Sequence, residues 1–148
     1  MEDRKRAERL AAYYAGLCGT RNPFRLAESL GILYQIGECG PAGCYMFLKN
    51  HRYIFINCHL EGAEKDLVMA HELGHALLDR RANCYYIRNK TLLLNSRFER
   101  RANLFAAYLL IPSDMLREYE GHTAEQFARC TGYPAELLAL RMEGSLTR

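Results

Sequence analysis

His71 and His75 stand four residues apart with Glu72 between them, so His71-Glu72-Leu73-Gly74-His75 fits H-E-x-x-H, the short motif of zinc-dependent hydrolases. On an α-helix, residues i and i+4 lie on one face, one turn apart. Two imidazoles so placed can share one zinc ion at about 2.0–2.1 Å. Glu72 then projects beside the open position of the metal, where it can take a proton from water. Zinc lowers the pKa of a bound water from about 15.7 to about 7, which makes a hydroxide-like nucleophile available at neutral pH. The chemistry these residues point to is metal-assisted hydrolysis. The competing reading is an amphipathic core helix whose two histidines are hydrogen-bonded rather than metallated.

A catalytic zinc takes three protein ligands and keeps one position open, so a third ligand must come from elsewhere. Asp79 is i+4 from His75. However, His71 and Asp79 are separated by about 12 Å of helix at about 1.5 Å per residue, too far for three side chains to share an ion easily. Asp79 reads instead as a solvated helix-end residue or as an acceptor outside the ligand set. Glu99 is the better candidate, because it lies in a separate apolar helical segment that can pack against the first. A carboxylate there needs a partner, since burying an unpaired charge is expensive. Asn103, one turn further on, can accept a hydrogen bond from a ligand histidine and fix its tautomer. Glu118, Glu120, Glu125, Glu136 and Glu143 fall on more polar segments and read as a solvated face. A tetrahedral oxyanion needs a further donor; Tyr85, Tyr86 and His122 are conceivable, and the sequence does not choose among them.

These residues need rigid elements to hold them. The motif helix is expected from about Ala63 to Arg80, with Leu67, Ala70, Gly74 and Leu77 on one face and Met69, Ala76 and Leu78 broadening it. So apolar a helix is buried, which puts its histidines inside the protein or along a cleft floor. Gly74 costs helix propensity, and close approach of another backbone element would explain it. The second helix spans Phe98 to Leu110 and ends at Pro112, with Phe98, Ala102, Phe105, Ala106 and Leu109 as its buried stripe.

Ahead of the motif, residues 2 to 17 read as a helix with Leu10, Ala11, Tyr13, Tyr14 and Leu17 at its apolar positions. Asn22-Pro23 opens a short second helix that Gly31 stops. Three strand-forming runs follow: Ile32 to Ile36, Cys44 to Leu48 and Arg52 to Ile56. Lys49-Asn50-His51 makes the last two a hairpin. A sheet edge of this kind offers backbone groups to an extended peptide. Residues 82 to 96 are ambiguous: Tyr85-Tyr86-Ile87 and Thr91 to Leu94 read as short strands or as hydrophobic anchoring of a connection, the second reading being preferred. Beyond Pro112, short helices run from Ser113 to Tyr119, from the capping box Thr123-Ala124-Glu125-Gln126 to Gly132, and from Pro134 to Met142, with a frayed tail from Gly144. There is no internal repeat or low-complexity segment.

At 148 residues, with 49% hydrophobic and 25% charged residues, the chain has the composition of one globular domain. A net charge of +3 gives no reason to expect nucleic acid or an anionic membrane as main partner. The basic N-terminus is followed by no apolar signal region, and no apolar run reaches the roughly 18 residues of a membrane span. A cytoplasmic protein is expected, with its 6 cysteines as free thiols. Cys39 and Cys44 are the one pair whose spacing hints weakly at a second metal site.

Ala70-His71-Glu72-Leu73-Gly74-His75-Ala76-Leu77-Leu78, followed by Glu99-x-x-Ala102-Asn103-x-Phe105-Ala106-Ala107-x-Leu109-Leu110-x-Pro112, resembles the ImmA/IrrE metallo-endopeptidases, a small thermolysin-like family of phages and integrative elements. The resemblance extends to Gly43 to Asn57 and more loosely to the C-terminal helices. It implies an α+β, zincin-like fold of minimal gluzincin type: a small antiparallel or mixed three-stranded sheet packed on the H-E-x-x-H helix and on a second, Glu-bearing helix, with N- and C-terminal helices. Residues 1–148 would form a single metallo-endopeptidase domain. It further implies a Zn2+ site of His71, His75 and Glu99 with Glu72 as general base. The implied partner is a helix-turn-helix repressor of a mobile element, cleaved by an anti-repressor protease, with no direct contact to nucleic acid or membrane. Two positions depart from the family pattern. Many relatives have histidine at Asp79, and often an acid or amide at Arg101. Neither is an inferred ligand, so any consequence falls on substrate choice.

Two rivals remain. One is a non-catalytic zinc-binding regulatory protein that sequesters a repressor; Glu72 argues against it, because a binding module has no need of the base. The other is a DNA-binding module at residues 123 to 142. Arg129 and Arg141 there are offset by Glu125, Glu136 and Glu143, so a basic recognition face is lacking.

Overall fold

The computed structural model describes residues 2–38, 40–81, 84–86 and 96–146, with the side chains of 84–86 and 144–146 left aside. Its elements are α1 (Glu2–Cys18), α2 (Pro23–Ser29), β1 (Leu33–Gly37), β2 (Gly43–Leu48), β3 (His51–Asn57), α3 (Gly62–Leu78), β4 (Cys84–Tyr86), α4 (Arg97–Leu110), α5 (Ser113–Glu118), α6 (Ala124–Thr131) and α7 (Ala135–Leu146). The architecture is α+β.

The three expected strands form the body of a mixed sheet, and a short fourth joins its edge in the order β1-β3-β2-β4. β1 runs parallel to β3, while β2 is antiparallel to both β3 and β4. The β2–β3 turn is made by Lys49 and Asn50, both at positive φ (49° and 66°), which matches the right-handed twist of a two-residue hairpin. The sequence favours anchoring of a connection at Tyr85 and Tyr86, but the backbone of Cys84–Tyr86 pairs with Gly43, Cys44 and Tyr45. A run of three residues carries too little alternation to announce itself as a strand. Ile87 and Thr91 to Leu94 lie outside the described residues.

α3 is the central element. The sheet packs on one side of it and α4 on the other. Ten consecutive residues, Leu67 to Ala76, are buried, as a helix enclosed on both sides requires. Alternation along the strands turns Tyr45, Ile54 and Ile56 into this core. α1 and α7 both pack on α4.

Two expected apolar stripes are corrected. α1 buries Ala7 and Ala11 and leaves Tyr13 and Leu17 more than half exposed, because its smallest residues allow the closest approach to α4. In α4, Phe98 is 48% exposed, and the buried face begins instead at Glu99. Ser96 caps α4 by accepting a hydrogen bond from the Glu99 backbone N–H at 3.2 Å. Asn22 caps α2 in the same way, accepting from Phe24 and Arg25.

Candidate metal centre

His71 and His75 project from successive turns of α3, and Glu99 from the first turn of α4. The His71 Nε2 lies 2.9 Å from Glu99 Oε2 and 3.1 Å from the His75 Nε2. The His75 Nε2 lies 3.1 Å from Glu99 Oε1. Ligand atoms of a tetrahedral zinc site stand about 3.3 Å apart, so this triangle has the size of one ion's coordination shell. All three residues are buried, and together they could hold a metal ion. Two imidazoles and one carboxylate are a donor set for a borderline divalent cation.

Glu72 is fully buried beside them. Neither of its carboxylate oxygens has a hydrogen-bond partner among the described residues, an expensive state for a group with no work to do. Burial pushes its carboxyl well above the ordinary carboxylate range, and the charge of Glu99 pushes the same way. Burial would also raise Glu99, but hydrogen bonds from His71 and His75 outweigh it and bring the carboxyl down to about 2. Burial holds His71 below the usual histidine value, against the raising effect of its bond to Glu99. Asn103, one turn beyond Glu99, is itself buried, and its side chain pushes the His71 pKa upward, against the effect of burial.

Family membership follows from the same stretch of chain. The family model of peptidase M78, the IrrE N-terminal-like domain, matches residues 27–143 and so spans the entire cluster. The chain belongs to the ImmA/IrrE family of metallopeptidases. It is 36% identical over 126 residues to the uncharacterized immunity region protein 2 of Bacillus phage phi105, covering 82% of this chain and 80% of that protein. It is 29% identical over 122 residues to the metallopeptidase ImmA of Bacillus subtilis strain 168, covering 79% of this chain and 72% of that one.

In this ImmA/IrrE chain, Asp79 stays out of the metal cluster, as helix geometry requires, but it is not solvated. Its side chain is 7% exposed, and its Oδ1 accepts a hydrogen bond from Arg101 Nη1 at 2.8 Å. The Nε of Arg101 reaches Asp3 at 3.2 Å. Asp79 and Arg101, the two positions expected to depart from the family pattern, are therefore the two sides of one ion pair, which ties the end of α3 to α4 and α1. His122 is exposed, bonds back to the Tyr119 carbonyl, and lines a cavity of about 370 Å³ that includes no residue of the metal cluster. The side chains of Tyr85 and Tyr86 are outside the described residues.

Two neighbours of the site escaped sequence reasoning. The ring of Tyr45 stacks on His75 with centroids 6.4 Å apart, and its hydroxyl donates to the Arg80 carbonyl. Gly43 lets β2 run directly against Glu72: a Cβ there would sit 2.5 Å from Val68 Cγ1 and 3.3 Å from Glu72 Cγ. A glycine opening a strand-forming run was the available signal, but nothing in the sequence pairs it with Glu72. Cys44, suspected with Cys39 of a second metal site, is buried on β2, and Cys39 lies outside the described residues.

Proposed function

We propose that this protein is a single-domain zinc endopeptidase of the gluzincin type with a minimal zincin-like fold, in which His71, His75 and Glu99 hold the metal and Glu72 is the general base. The observation that carries this reading is the buried convergence of two imidazole nitrogens and a carboxylate, beside a second carboxylate with no hydrogen-bond partner among the described residues. A bound zinc ion supplies Lewis-acid polarisation of a peptide carbonyl and acidifies water. Glu72 does the proton work. A carboxylate oxygen takes the proton as water attacks the carbonyl carbon, then delivers it to the amide nitrogen as the C–N bond breaks. Its raised proton affinity suits it to hold that proton between the two transfers, while a cation beside it pulls in the opposite direction. Asn103 fixes the tautomer and ring orientation of His71. An extended peptide would add to the sheet edge beside the site.

The substrate in this reading is a helix-turn-helix repressor of a mobile element, met in the cytoplasm, with the protein acting as anti-repressor. The support is that the phage phi105 relative is named for an immunity region and that the Bacillus subtilis relative is a metallopeptidase. The test is incubation with the helix-turn-helix repressor encoded nearest its gene. Discrete fragments are expected from the parent and none from Glu72→Gln. If Glu72→Gln relieves repression as well as the parent does, a non-catalytic zinc protein that sequesters the repressor replaces the protease.

A further inference from the structure

The parallel strands β1 and β3 end side by side, and the residues just past their ends bring a second set of metal-binding side chains together. Glu38 follows β1, and Cys58 and His59 follow β3. One ligand atom from each lies within 4.8 Å of the other two. Backbone bonds hold this arrangement. Gly37 pairs with Asn57 in the ladder, and the Cys58 N–H donates to the Gly37 carbonyl at 2.9 Å. The Asn57 side chain accepts from the His59 N–H at 2.9 Å and donates to the Pro41 carbonyl at 3.5 Å. Thus the two residues after β3 are fixed relative to the residue after β1.

We propose that Glu38, Cys58 and His59 form a second, surface site for a borderline-soft divalent cation such as Zn2+, independent of the buried centre. One sulfur, one imidazole nitrogen and one carboxylate oxygen are a donor set that favours zinc over magnesium or calcium. In a tetrahedral zinc complex these atoms stand about 3.3–3.6 Å apart. All three side chains are exposed, so small rotations about their free torsions close the remaining gap. His59 Nε2 already stands 3.6 Å from Glu38 Oε1. Binding takes the proton from the Cys58 thiol and releases it to solvent, and it uses the neutral form of His59. Exposure leaves the remaining coordination positions to water. The Asn57 backbone N–H bonds Ala42, and Gly43, the next residue, packs on Glu72. A metal at this corner would therefore brace the start of β2, where Gly43 packs on Glu72.

The test follows the alkylation rate of Cys58 in the full-length chain by peptide mass spectrometry, before and after zinc is added beyond one equivalent. Only the thiolate reacts, and coordination ties it up. The expected result is a slowing of about tenfold or more in the parent. In His59→Ala and Glu38→Gln the slowing is lost or needs at least about tenfold more zinc, since even outer partners of metal ligands cost about 10–100-fold in affinity. An unchanged rate with zinc in excess overturns the site, as does equal protection in parent and both variants. The readout is at Cys58 itself, so failure of the buried centre to bind zinc would leave this test intact.

Discussion

Gly74 and Ala102 meet where α3 and α4 cross: a Cβ on Gly74 would lie 2.9 Å from Ala102 Cα and 3.1 Å from its carbonyl oxygen. Gly74 sits between the two histidines, and Ala102 is one turn beyond Glu99. This contact therefore sets how closely Glu99 approaches both imidazoles. Gly74→Ala would gain about 1 kcal/mol of helix propensity, but overpacking against backbone costs about 1–3 kcal/mol and pushes α4 away. The expected outcome is a lower melting temperature together with weaker zinc retention against a chelator. A stabilised variant with unchanged retention would show that the contact does not position Glu99.

Arg101 holds Asp79 and Asp3 at once. Arg101→Ala leaves the Asp79 carboxylate, 7% exposed, without its cation. Such a loss costs about 1–3 kcal/mol. Denaturant unfolding should show this, and Asp79→Ala made in the same background should add little further loss. Additive losses from the two substitutions would mean that the pair is not coupled.

In the proposed site, Asn103 acts through His71. Asn103→Ala should keep the fold but lower zinc affinity by about 10–100-fold, read by competition with a chelator of known affinity. Unchanged affinity would remove Asn103 from the metal centre.

Glu72 carries a stability cost with a definite sign. Its folded-state pKa is raised by burial and by Glu99. Its contribution to stability is therefore full below the ordinary carboxylate value and is lost as pH rises. Glu72→Gln does not ionise. In metal-free protein, the stability difference between Glu72→Gln and the parent should grow in favour of the variant as pH is raised from 4 toward 7. Glu99 has the opposite sign: its folded pKa is about 2, so its contribution is present above the ordinary value and fades as pH falls toward 2. A pH-independent difference between parent and Glu72→Gln would contradict the environment assigned to Glu72.

The cluster was legible because its determinants are local. H-E-x-x-H fixes two groups on one helical face, and Glu99, the lone acid of a helix with an apolar stripe, had to find a partner. The strand runs and the Asn22 and Thr123 caps were legible for the same reason. What failed depended on contacts between distant segments. Asp79 stayed open between a solvated helix end and an acceptor, because the cation it accepts from comes from another helix. Phe98 looked buried because composition does not say which edge of a stripe faces solvent. β4 was hidden by its length, and the fit of Gly43 against Glu72 by the fact that strand and helix meet only in the folded chain.

The proposed chemistry requires that His71, His75 and Glu99 hold one metal ion. Elemental analysis of the purified parent beside Glu99→Ala, both with Cys58 replaced by Ser so that the surface site is silent, tests it most directly. About one zinc per chain is expected in the parent background, with a large loss in Glu99→Ala. No zinc in either after reconstitution would contradict it, returning the two histidines to hydrogen-bonded core residues and removing the enzymatic reading.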